Sequence, residues 1–166
     1  MSLKEKPSIY LATRPSVDWK SIAEFFEEEN VPPIPDSVRA GDDESAAVIE
    51  IAARMCYMSY GRGRRDITDF INNLLSSKDG SVFEHVNYGF IITGVSRSLT
   101  HELVRHRAGF AYSQRSQRYV DETEGSFVVP PALAANREGI EAARNVLNNA
   151  LLRAADSYVE LVEALE

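Results

Sequence analysis

Residues 97–119 read RSLTHELVRHRAGFAYSQRSQRY. Ser98–Arg107 is predicted as a helix stopped by Gly109, and Tyr112–Val120 as an extended segment. Between Arg97 and Arg118 stand Arg97, Arg105, Arg107, Arg115 and Arg118, with Glu102 as the single acid and no lysine, so the window carries +4. The whole chain is −7, which leaves −11 for the remainder. Guanidinium is a planar fork that grips phosphate or carboxylate through two parallel bonds, whereas an ammonium is a point charge. Tyr112, Ser113, Gln114, Ser116 and Gln117 add hydroxyls and amides to the same stretch. A strand here would put Gln114, Ser116 and Arg118 on one face and Arg115 and Gln117 on the other. On residue types alone, a solvated charged face and a pocket for a phosphorylated nucleotide stand about level.

Outward from this window, Ser8–Thr13 (SIYLAT) reads as a strand ended by Pro15, and Trp19–Glu29 as a helix. Val31–Asp36, with three prolines, reads as a loop. Asp43–Tyr60 is a helix on the spacing of Ala46, Ile49, Ala53 and Cys56, broken by Gly61 and Gly63. Asp66–Ser76 is a helix with Ile67, Phe70, Ile71 and Leu74 on one stripe. His85–Thr93 reads as a strand on its aromatic and β-branched residues, and Ser126–Val129 as a second extended run closed by Pro130 and Pro131. Asn136–Glu166 is a long amphipathic helix or a pair. Helices and strands do not alternate regularly, so the predicted class is α+β rather than a doubly wound sheet.

The length of 166 residues suits one domain with a sizeable core. No apolar run reaches the length of a membrane span, and the polar amino end Met1–Pro7 gives no secretory signal. Cys56 is the single cysteine, so no internal disulfide can form and a cytoplasmic home is expected. A net charge of −7 argues against a broad nucleic-acid footprint, which needs a basic face to displace counterions. It leaves room for a compact anion site.

Several motifs take their plainer reading. Gly61–Asp66 misses a dinucleotide fingerprint because Asp66 stands where the third glycine belongs and a helix precedes it; it is read as a loop. Cys56, on an apolar helical stripe with no histidine nearby, is read as a buried structural thiol. Glu102 and His106 have metal-ligand spacing, but Arg105 and Arg107 flank them with fixed positive charge, and no metal is expected. His85 and His101 are assigned structural roles.

Arg105-His-Arg107 followed by Ser116-Gln-Arg-Tyr119 resembles the signature of the flavin-dependent thymidylate synthases (the ThyX family). Ser81-Val-Phe-Glu-His85, the run Gly94–Leu103 and Ala52–Tyr57 are similar to that family as well, and the likeness extends over Ser8–Glu166. The resemblance implies a ThyX-like α+β fold, a mostly antiparallel sheet packed with helices. It implies FAD as cofactor, NADPH as reductant and methylenetetrahydrofolate as carbon donor for the methylation of dUMP to dTMP. Carried over by position, Ser81, Arg105, His106, Arg107 and Gln114 would contact FAD. Arg97, Glu102, Arg105, Gln114, Ser116 and Arg118 would line the dUMP site, with Arg97 towards the phosphate. Ser116 is the catalytic candidate, for substrate binding and polarisation, because no adjacent base appears that would make it a nucleophile. The family is typically a homotetramer whose sites draw on several subunits.

Three features depart from the pattern. Eight residues, Ala108–Arg115, separate the triplet from Ser116 where the family usually has seven; a bulge near Gly109 would absorb the extra one. Asp79 stands where the family commonly has a histidine near the flavin. The family also continues past the last helix into a segment with further FAD-binding groups and an arginine that promotes ionisation of the uracil ring. Residues 1–166 are therefore expected to form a single, C-terminally short, FAD-dependent thymidylate synthase domain. The alternative is a non-catalytic FAD- or nucleotide-binding module.

Overall fold

The computed structural model describes residues 2–34, 43–63, 66–122, 125–134 and 139–165. The ends of the expected Val31–Asp36 loop and Asn136–Glu166 helix, and Arg64 and Arg65 of the Gly61–Asp66 loop, lie outside them. The chain order is β1 (Ser2–Lys4), β2 (Ser8–Thr13), α1 (Trp19–Glu28), α2 (Ser45–Tyr57) and α3 (Ile67–Ser77). A 3-10 turn (Gly80–His85), β3 (Gly89–Thr93), α4 (Arg97–Leu103), β4 (Ser126–Val128), α5 (Pro131–Ala134) and α6 (Ile140–Leu165) follow. The class is α+β. Two compact units are formed, one from residues 10–91 and one from residues 1–9 with 92–166.

The unit of residues 10–91 holds two apolar clusters. Phe26, Ile34, Ala47 and Tyr60 make one, with Trp19, Ile22 and Phe25 packed against it. Phe26 and Tyr60 meet edge to face at 5.1 Å, the geometry that ring quadrupoles favour. Ile49, Ala53 and Leu74 make the other, lined by Phe70, Val82 and Phe83. α2 thus buries two flanks, and α3 and the 3-10 turn pack on it. α1 starts where the Asp18 carboxylate accepts the Lys20 and Ser21 N–H groups. α3 starts at Asp66, which accepts from Asp69 N–H, and ends at Lys78 in a left-handed conformation (φ 61°). Asp79 N–H then closes back on Leu74 O at 3.0 Å, so Asp79 completes the helix stop.

The other unit pairs β1 with β4 in parallel, Ser2 opposite Ser126, Leu3 opposite Phe127 and Lys4 opposite Val128. β2 pairs with β3 in a second two-stranded sheet. Where the resemblance implies a mostly antiparallel sheet packed with helices, the described residues form two small sheets, and one is parallel. A pair whose strands are separated by most of the chain has no hairpin to force antiparallel order. Gly94 (φ 68°) is required where it stands, since a Cβ would lie 2.5 Å from Lys6 O.

Four further expectations change. The His85–Thr93 strand begins only at Gly89, because Gly80–His85 closes into the 3-10 turn. The Ser98–Arg107 helix stops at Leu103. The Tyr112–Val120 strand does not form: residues 111–116 are irregular and 117–119 turn. Cys56 is exposed rather than buried. α2 turns Ala47, Glu50 and Arg54 inward beside Ile49 and Ala53, which leaves the Cys56 side of its last turn outside.

Candidate functional site

The arginine window begins at a capped helix. The Ser96 hydroxyl accepts Leu99 N–H at 3.2 Å and so holds the first turn of α4. Beyond Val104 the next apolar side chain that is not an alanine is Phe110, so a longer helix would bury nothing. The ladder tightens instead. Arg105 N–H reaches Glu102 O (3.2 Å), His106 N–H reaches Leu103 O (3.0 Å), and Phe110 N–H reaches Arg107 O (3.1 Å). Tyr112 folds back and donates its hydroxyl to His106 O at 3.1 Å, with its ring stacked on Phe110 at 6.0 Å. The Arg105–Arg107 triplet is therefore presented on consecutive turns.

Downstream, Ser116 is half-buried. Its Oγ accepts Arg118 N–H at 3.1 Å, a serine turn that takes the place of a ladder bond and removes the strand alternation of Gln114, Ser116 and Arg118. Accepting that bond leaves the hydroxyl proton available to donate. Among the described residues no His, Asp or Glu side chain bonds to Ser116, which fits a polarising group better than a nucleophile. Gln114 donates Nε2–H to Thr100 Oγ1.

The five arginines differ in how far their charge is met. Arg115 Nη2 lies 2.6 Å from Glu122 Oε2. Arg97 donates Nη1–H to Arg115 O at 3.0 Å. Arg105 has only a long, exposed contact to Glu102, at 3.4 Å. Such surface pairs contribute about 0–1 kcal/mol, so the charge of Arg105 stays largely open to a ligand. Among the described residues Arg107 and Arg118 make no ion pair, and Arg118 lies 5.4 Å over the Tyr119 ring. His101, His106 and Arg107 are exposed.

Ser81 lies in the unit of residues 10–91, exposed on the 3-10 turn. His85 closes that turn. Three participants in the 97–119 arrangement were not singled out from sequence as site residues: Thr100, Arg115 and Glu122. Thr100 has a weak local signal, one turn along from Arg97 on α4. Glu122 has none, because residues 111–122 form neither helix nor strand, so no period relates it to Arg115. A fourth omission is the buried pair Glu50–Arg54, four apart on α2, with Nε–Oε1 at 2.6 Å. Arg54 Nη1 also bonds the carbonyls of Ser59 (2.9 Å) and Arg62 (2.8 Å), and its guanidinium lies 4.7 Å over Phe70. Among the described residues no group of three or more His, Cys, Asp or Glu is placed to hold a metal ion. No described helix is long and apolar enough to cross a membrane.

The class so defined is an α+β protein that presents exposed guanidinium groups and a half-buried serine hydroxyl on a turn-rich segment, groups of the kind that grip anions. The sequence model of the family described as thymidylate synthase complementing protein matches residues 39–165. A protein named flavin-dependent thymidylate synthase from Mycobacteroides abscessus is 42% identical over 127 residues, 75% of this chain and 49% of its own length. One of the same name from Mycolicibacterium vanbaalenii is 39% identical over 138 residues, 81% of this chain and 52% of its own. One from Mycobacterium tuberculosis is 39% identical over 127 residues, 75% and 49%. The chain belongs to this family of flavin-dependent thymidylate synthases. It spans about half the length of the curated relatives it matches.

Proposed function

We propose that this chain forms part of a flavin-dependent thymidylate synthase that methylates dUMP to dTMP, with methylenetetrahydrofolate as carbon donor and NADPH as reductant. The family membership carries this reading, and the chemistry of residues 97–119 supports it. Arg107 and Arg118, free of ion pairs among the described residues, and the weakly paired Arg105 supply the positive charge that a flavin pyrophosphate or a nucleotide phosphate requires. That donor set fits FAD, with Arg105, His106, Arg107 and Gln114 assigned to it; Ser81 is assigned to it on the resemblance alone. When bound, the flavin supplies the hydride that completes the new methyl group. Arg97, Glu102, Arg105, Gln114, Ser116 and Arg118 are assigned to dUMP. Arg118 neutralises phosphate, and the free proton of Ser116 polarises the uracil, stabilising charge that develops as the methylene group arrives.

We further propose the family's fold for the whole protein, residues 1–166 acting as one thymidylate synthase domain, a homotetramer with shared sites and a cytoplasmic location. The test is NADPH oxidation coupled to dTMP formation, with flavin absorbance of the purified protein read in parallel. Turnover that requires dUMP, folate and flavin together is expected. Bound flavin without dTMP formation would replace the enzyme with a binding module.

A further inference from the structure

Eight residues separate Arg107 from Ser116, and the last of them, Arg115, is engaged at both ends. Its guanidinium meets Glu122 at 2.6 Å, and its carbonyl receives Arg97 Nη1–H at 3.0 Å. Arg97 O in turn accepts the Thr100 hydroxyl at 3.0 Å, and Thr100 Oγ1 accepts Gln114 Nε2–H. Residues 114–115 are thus tied through a closed ring of hydrogen bonds to the first turn of α4, with Glu122 fastening the outer side. The Glu122 carbonyl accepts Gly125 N–H at 2.8 Å, and a Cβ at Gly125 would stand 2.7 Å from that oxygen.

We propose that Arg115 and Glu122, with Arg97 on the Arg115 carbonyl, form a latch that sets the position of Gln114 and Ser116, so that Glu122 is a positioning residue acting through Arg115. The ligand in this proposal rests on the proposed function; the latch rests on the geometry alone. A loop one residue longer has more conformations available, and ordering it on binding would weaken affinity unless something orders it beforehand. The latch grips the residue next to Ser116, where a register slip would displace the hydroxyl most directly. It also engages one nitrogen of the Arg115 fork, Nη2, with a carboxylate, the competition that the variants below read out. An exposed pair adds little to global stability, so its effect is local order rather than melting temperature.

These two roles for Arg115 predict opposite signs. If Arg115 were a phosphate ligand, Glu122→Gln would release it and tighten dUMP binding. As a latch, Glu122→Gln and Arg115→Ala each raise the dUMP dissociation constant and KM by about fivefold, the upper end for an exposed pair, with kcat held within about twofold. Amide hydrogen exchange at residues 113–118 should quicken in both variants while the melting temperature stays put. The swapped double variant Arg115→Glu/Glu122→Arg should restore both readouts. Tighter or unchanged dUMP binding in Glu122→Gln overturns the latch, as does failure of the swap to restore exchange protection. Should the unsubstituted protein bind no dUMP, the proposed function falls and exchange alone judges the latch: unaltered rates at 113–118 in both single variants refute it.

Discussion

Arg54 and Glu50 show how much a single side chain decides in this chain. They are 4% and 1% exposed, and among the described residues Glu50 Oε2 has no hydrogen-bond partner. A buried pair offsets its own desolvation only while both members are present. Arg54→Met should therefore destabilise the fold by about 3–5 kcal/mol, leaving a buried carboxylate and two carbonyls without their donor. Urea denaturation measures it, and adding Glu50→Gln should recover a large part; no recovery would show that packing on Phe70, not charge, is the main contribution. In the arginine window the same logic acts at the surface. Arg118→Ala should weaken dUMP binding by about 1.5–3 kcal/mol, the range for a charged contact. Titration calorimetry giving an unchanged constant would remove Arg118 from the site. Ser116→Ala should lower turnover more than flavin content, and loss of flavin instead would reassign the serine to the cofactor.

At the level of the element, the start of α2 is a clasp of two carboxylates. Glu44 accepts Val17 N–H at 2.6 Å and the indole N–H of Trp19. The Trp19 bond, then the Val17 bond, hold its carboxyl below the ordinary value of 4.5. Asp43 accepts the Tyr88 hydroxyl at 2.7 Å and Ser45 N–H at 2.9 Å and is likewise lowered from 3.8. A lowered folded-state value means that the clasp stabilises fully above the ordinary carboxylate values and is lost as pH falls through the lowered ones. Trp19 is the single tryptophan, so its emission should change in an acid step below pH 4.5. Glu44→Gln, which cannot ionise, should abolish that step; a step that survives would place the titrating group elsewhere.

Across the whole molecule, charge and apolar surface are distributed unevenly. The buried clusters belong to residues 10–91, whereas α6 buries none of its 26 residues and exposes Val146, Leu152 and Leu161. Exposed apolar surface of this kind is what association covers. Sedimentation at micromolar concentration is expected to give a species heavier than 18.5 kDa, and a monomer at every concentration would remove the shared-site part of the proposal. With −11 outside the window, affinity for oligonucleotides should stay weak even at low salt, while dUMP binding weakens only modestly as salt rises. A steep salt dependence of oligonucleotide binding would point to a polymer instead.

Much of this organisation was legible in the residues. The longer helices followed from 3.6-residue periodicity, the Ser8–Thr13 strand from its residue types, and the clustering of five arginines beside one glutamate was plain in residues 97–118. The residues of Arg105-His-Arg107 and Ser116-Gln-Arg-Tyr119 carried the resemblance to the family, despite the extra residue between them. These signals are local, since a helix face or a capping serine is written within one or two turns of chain. Tertiary structure alone decided which guanidinium groups meet a partner, because Glu122 and the Arg115 carbonyl share no helix or strand with the groups that reach them. It alone paired Ser2–Lys4 with Ser126–Val128, and it alone showed that the Glu50–Arg54 side of α2 faces inward and Cys56 outward. Such outcomes depend on which distant segments return to cover a group, and on what desolvation costs there.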